Sequence, residues 1–161
     1  MGAVYTATFD SVAVSALQDL FEITAPSSAC VIVHDWHVFQ TSDTGDTAEE
    51  ILRLQTVRGD LAVASGSGGS TLTPQPLHNG DPAFGGTVEC NNTTRMTAGS
   101  PDTLEITGNF GWNVRVPYDK VYTPETRPVI SPGKRWALAL PVAPGDPLTM
   151  GATITFEVIG G

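Results

Sequence analysis

The chain has 161 residues, a formal net charge of −9, 40% hydrophobic residues and 16% charged ones. That balance describes a folded, weakly charged chain long enough for one two-layer core, and it excludes a disordered polyelectrolyte. Lys and Arg together number only 8 and the arginines are scattered, which argues against a nucleic-acid partner and against an anionic membrane surface; no apolar run approaches the roughly 20 residues that cross a bilayer.

No basic stretch followed by an apolar core opens the chain, so no secretory signal is expected. Residues 1–9 are small and apolar and read as an extended N-terminal arm, with residues 10–161 as the folded domain. Alternation begins at Tyr5 and predicts a strand to Val14. Residues 18–24 fit either a strand or a helix, since Val14, Leu17 and Phe21 make a helical stripe behind a possible cap at Asp10. Residues 30–40 are the longest strand candidate. Strict alternation there puts Ile32, Trp36 and Val38 on one face and Val31, Val33 and Phe39 on the other.

Residues 49–57 also admit both readings. Asp46 and Glu49 resemble a capping box, yet Leu52 and Leu54 alternate with Arg53 and Gln55, which favours a strand. Residues 64–86 are rich in Gly, Ser and Pro and read as one long loop. Short strands are expected at residues 87–90, 103–106 and 110–116, followed by an irregular aromatic crossover over 118–127. A short edge strand then ends in the turn Ser131-Pro132-Gly133, and two alternating runs close the chain, Arg135-Trp136-Ala137-Leu138-Ala139-Leu140 and Ile154-Thr155-Phe156-Glu157-Val158. Pro141, Pro144 and Pro147 separate those runs because proline lacks an amide donor. The expectation is an all-β, single-domain β-sandwich, jelly-roll-like, with eight or nine strands and long loops.

Catalytic patterns do not assemble from this order. Asp43-Thr44-Gly45 is the aspartic-protease tripeptide, but it occurs once and follows Thr41-Ser42 instead of an apolar strand. Asp43, Asp46, Glu49 and Glu50 offer oxygen ligands without the spacing of a calcium loop. His34 and His37 are separated by an odd number, so on a regular strand they face opposite ways and cannot share a metal ion unless a bulge intervenes. The Ser-Gly run lacks the lysine of a phosphate loop. Asn91-Asn92-Thr93-Thr94 contains overlapping glycosylation sequons, which matter only on a secretory route. Cys30 and Cys90 read as two small buried hydrophobes, with one cross-strand disulfide as the other possibility. No cofactor, metal ion or catalytic residue is expected. Trp36 and Trp136 fall on the apolar faces of their strands, whereas Trp112 sits in the polar, glycine-broken Asn109-Phe110-Gly111-Trp112-Asn113 and is the tryptophan expected to face a partner.

Several segments together resemble a family of small structural proteins of tailed phages and prophages. They are the run from Phe9 to Ile23, Ser42-Asp43-Thr44-Gly45-Asp46 with Glu49-Glu50 and Arg58-Gly59, the Gly-Ser-Gly-Gly-Ser that follows, Glu89 to Thr94, and Ser131-Pro132-Gly133 leading to Leu140-Pro141 and Phe156-Glu157. The resemblance implies a non-enzymatic virion component. The role it points to is a capsid decoration or cement protein that bridges subunits of the major capsid protein on the phage head, as a homotrimer. Val4, Tyr5 and Phe9 of the arm, with Trp112, are then the expected contact residues. The alternative is a carbohydrate-binding sandwich, a virion adhesin or tail-associated lectin, using Trp112, Tyr118 and Tyr122.

Overall fold

The structure is a computed structural model that describes residues 2–42, 50–59 and 63–160. Its strands in chain order are β1 (Ala3–Val14), β2 (Gln18–Thr24), β3 (Cys30–Gln40), β4 (Ile51–Gly59), β5 (Val63–Ala64), β6 (Ser70–Leu72), β7 (Gln75–Pro76), β8 (Thr87–Asn92), β9 (Thr97–Ala98), β10 (Glu105–Asn113), β11 (Tyr118–Val121), β12 (Val129–Ile130), β13 (Arg135–Leu140) and β14 (Leu148–Ile159). Of the two ambiguous segments, residues 18–24 are β2 and residues 51–57 lie in β4. Each contributes apolar side chains to the space between two sheets, so tertiary burial overrides the helical stripe of the first and the capping-box signal of the second.

One sheet has the order β11-β3-β14-β1-β7, with β12 also paired to β3; the other has the order β10-β4-β13-β2-β8-β6. Among the described residues the ladders of both sheets are antiparallel. The sheets face each other as a β-sandwich across one apolar cluster that includes Trp36, Trp112, Trp136, Phe21 and Phe156. Rings meet across the interface: Phe9 lies 5.2 Å from Phe21, and Trp36 meets Phe110 edge-on at 5.3 Å. A smaller cluster lies on the opposite side of the second sheet, where Met96, Val63 and Leu104 cover Val57, Ala137 and Ala139. That sheet is therefore buried on both faces where β4 and β13 run.

The Gly/Ser/Pro-rich region is more ordered than its composition implies. β6 pairs with β8 and β7 with β1, so the two short strands tie it to one edge of each sheet. The Pro132-Gly133 turn forms as expected. Gly133 takes φ 70° and the Lys134 amide donates to the Ser131 carbonyl at 2.9 Å, the geometry of a type II turn.

Residues 3–9 belong to β1 and do not form a free arm. β1 lies between β14 and β7, and its register with β14 runs from Ala3↔Val158 to Val14↔Leu148. The small residues at the start are those a sheet interior accepts, and Tyr5, Ala7 and Phe9 all point into the core. Among the described residues, four strands carry an extra residue that shifts the register: near Ser11 in β1, at Leu20 in β2, at His34 in β3 and at Thr107 in β10. After each such bulge the inward positions change parity. Val31, Val33, Trp36 and Val38 consequently all face the core, which corrects the two-faced reading of residues 30–40.

Removing residues 1–9 is expected to abolish cooperative unfolding, because it strips the middle of a sheet and the Tyr5 and Phe9 rings with it. Thermal melts by circular dichroism check this; an unchanged melting temperature would show that the segment is a dispensable arm after all.

Candidate functional site

Of the contact residues expected from sequence, Tyr5 and Phe9 are buried, at 2% and 5% exposure. The Tyr5 hydroxyl donates to the Pro82 carbonyl at 2.9 Å, and its ring stacks on Phe156. Val4 points the other way and is half-buried, at the edge of a shallow depression shared with Leu77 and His78. Trp112 is 1% exposed and donates its indole N–H to the Val116 carbonyl at 2.9 Å. It is a core residue, because Asn109, Gly111 and Asn113 occupy the outward alternate positions of β10 and leave Phe110 and Trp112 facing in.

Tyr118 and Tyr122 make no exposed platform either. Tyr118 stacks on Trp36 at 5.5 Å, and the buried Tyr122 hydroxyl accepts from Trp36 Nε1 at 3.2 Å. The Lys120 ammonium lies 5.5 Å from the Phe110 ring and 5.1 Å from the Tyr122 ring. These side chains close the seam between the two sheets. Burial pushes the Tyr122 hydroxyl above its ordinary pKa, opposed by its hydrogen bonds with Trp36 and Thr56.

The bulge at His34 brings His34 and His37 to the same outer face, the condition for sharing an ion. They bind different carboxylates instead. His34 Nε2 lies 3.2 Å from Glu157 Oε2, and His37 Nδ1 lies 2.5 Å from Asp119 Oδ1. Glu157 also accepts from the Gly2 amide at 2.8 Å. Among the described residues no group of three His, Cys, Asp or Glu side chains is placed to hold a metal ion. Asp43-Thr44-Gly45, Asp46 and Glu49 lie outside the described residues; Glu50 accepts from the Gly145 amide at 2.7 Å. Cys30 and Cys90 are unpaired, and burial raises the Cys90 thiol.

Among the described residues lies a buried polar constellation that alternation hid. The bulge at Leu20 puts Asp19 and Glu22 on the same outer face of β2, and both are almost wholly buried. Asp19 accepts from Arg95 Nε at 2.9 Å and from the Met96 amide at 2.7 Å. Glu22 accepts from the Ser65 hydroxyl at 2.7 Å, the Gly66 amide at 2.8 Å and Asn92 Nδ2 at 3.3 Å, with Arg135 beside it at 3.2 Å. Every contact reaches a loop segment or a neighbouring strand. The two carboxylates thus fasten the chain around residues 65–66 and 95–96 onto the sheet.

A second constellation lies at the sandwich seam, between β4, β10 and β13 and the crossover that follows β11. It is a recess of about 340 Å³ bordered by Thr56, Arg58, Thr107, Tyr122, Arg127 and Trp136. Thr56 and Thr107 share a hydrogen bond of 2.9 Å, and Arg58 Nε donates to Glu105 at 2.6 Å. The indole Nε1 of Trp136 and Nε of Arg127 are both buried and without a hydrogen-bond partner. In the sequence Trp136 is legible only as a core residue, and nothing marks its N–H as unsatisfied. No family model, curated protein or solved structure matches the chain.

Burial holds the Asp19 carboxyl above its ordinary value of 3.8, although the Met96 amide and Arg95 oppose the shift. The folded protein then binds this proton more tightly than the unfolded chain. The group's contribution to stability is full below the unfolded value and is lost as pH rises through the raised folded value. Urea melts of the wild type and D19N between about pH 4 and pH 7 check the sign. The wild type is expected to gain stability relative to D19N as pH falls, and a constant difference would contradict the raised value.

Proposed function

We propose that the chain is a non-enzymatic phage virion structural protein, a decoration or cement protein that stabilises the head by bridging subunits of the major capsid protein. The observation that carries this reading is β10. It is a nine-residue strand that, among the described residues, has no strand beyond it in its sheet, and most of its side chains are exposed. Ile106 on it is 55% exposed, and Ile51 on the adjoining β4 is 75% exposed. Isolated proteins protect such edges with lysine, proline or a covering loop. β10 contains neither lysine nor proline, and its one acid, Glu105, is engaged with Arg58.

An edge of this kind suits strand addition in an assembly, where main-chain hydrogen bonds supply affinity and flanking apolar side chains fix the register. β10 thereby takes the contact role expected of the N-terminal arm, which the fold has consumed as β1. Consecutive strands β1 to β4 alternate between the two sheets, a crossing pattern that favours jelly-roll-like winding. A homotrimer would use a heterologous interface and close as a ring, leaving three equivalent edges for the lattice.

Ile106→Lys tests the reading, since a charge on an exposed edge opposes strand addition while leaving the fold intact. The variant is expected to melt within about 0.5 kcal/mol of the wild type. It is also expected to lose occupancy on phage heads that lack the protein, scored by gel analysis of gradient-purified particles. Wild-type occupancy in a folded Ile106→Lys protein would remove β10 from the contact, and failure of the wild type to bind heads would remove the virion role.

A further inference from the structure

We infer that the seam recess beside Trp136 is a binding site for a small carboxylate-bearing ligand. Its volume of about 340 Å³ stands at the lower end of ligand pockets, which span about 300–1,000 Å³. Three features of its wall select the chemistry.

The first is the pair of unsatisfied donors. Trp136 is 2% exposed, and its Nε1–H has no partner; Arg127 Nε is likewise buried and unbonded. An indole N–H can only donate and a guanidinium can only donate, so both require an acceptor. Leaving such groups dry is costly, and native structures seldom do so. The second feature is charge. Arg58 and Arg127 border the recess, and Lys134 and Arg135 border a smaller one that shares Trp136. Half of the 8 Lys and Arg residues thus gather at one seam of a chain whose net charge is −9. Glu105 engages Arg58, Glu22 engages Arg135, and Glu125 lies within electrostatic reach of Arg127. None of these three carboxylates reaches Nε of Arg127 or of Trp136.

The third feature is the hydroxyl lining. Thr56, Thr107 and Tyr122 are bonded to one another or to Trp36, which orients them before any ligand arrives. A carboxylate offers two acceptor oxygens on one planar group, and its charge strengthens the bonds it accepts. The threonine and tyrosine hydroxyls then meet the remainder of a hydroxylated ligand. The recess shares Thr107 with β10, whose edge carries the proposed contact, but its ligand binding is tested on the isolated protein and so is read independently of that contact.

The experiment is a titration of the ¹⁵N-labelled wild type, with the three indole signals assigned by triple-resonance spectroscopy. The probes are acetate, glucuronate and the neutral sugar glucose. The Trp136 indole signal is expected to move with both carboxylates and to stay fixed with glucose, with saturation in the low millimolar range, about what a single charged group in a small pocket supports. Tighter binding of glucuronate than acetate would identify a sugar acid as the ligand class, whereas equal binding identifies the carboxylate alone. Arg127→Gln, on the crossover, is expected to weaken binding by about tenfold by replacing a charged donor with a neutral one. A Trp136 signal unmoved by about 10 mM of either carboxylate, or moved as far by glucose, overturns the proposal and leaves a water-filled recess.

Discussion

A β-strand sends alternate side chains to opposite faces, and only an extra residue can change that parity. Most of what is distinctive in this sandwich follows from where such residues fall. Without the one at Leu20, Asp19 and Glu22 would point to opposite faces, and one carboxylate would enter an apolar core. Without the one at His34, either Val33 or Trp36 would leave the core. The one at Thr107 lets its hydroxyl meet Thr56 at 2.9 Å and complete one wall of the seam recess. The residue near Ser11, at φ 56°, lets β1 bury Tyr5, Ala7 and Phe9 and still direct Val14 inward.

The buried acids illustrate how polarity can organise a layer. Glu22 and Asp19 sit on the face of the second sheet that Met96, Val63 and Leu104 cover. A wholly apolar surface there would accept many placements of the covering loops. Two carboxylates with directional partners accept very few, because a misplaced loop leaves a buried charge unpaired. The Met96 amide bond to Asp19 and the Gly66 amide bond to Glu22 fix one point in each covering segment. Specificity of placement, more than net stabilisation, is what these acids supply.

The same constraint explains what was legible in the sequence. The all-β class and the runs at β13 and β14 follow from unbroken alternation, and the Pro132-Gly133 turn from the chemistry of its two residues. Residues 18–24 are ambiguous because Val14, Leu17 and Phe21 carry helical spacing, and residues 49–57 because Asp46 and Glu49 resemble a capping box; only the opposing sheet decides between the readings. The extended arm was misread for a related reason: small residues suit a free segment and a crowded sheet interior equally well, and the pairing of β1 with β14 joins positions more than 130 residues apart at every rung. Trp112 was misplaced by its polar neighbours, which are simply the outward half of its own strand. The carboxylate clamp and the recess could not be read at all, since each depends on bulges and on segments brought together from distant parts of the chain.

The charge distribution bears on how the seam could recognise an anion. At a net charge of −9 the protein repels anions at long range, and in physiological salt fields of exposed charges fade over about 8 Å. Electrostatic steering therefore works against a carboxylate until it reaches the seam. Inside the recess the balance changes, because the Trp136 and Arg127 donors are withdrawn from water and their bonds gain strength in the lower local dielectric. Recognition at this seam would rest on short-range donor geometry, so its affinity should respond weakly to salt, in contrast to a site built from exposed lysines.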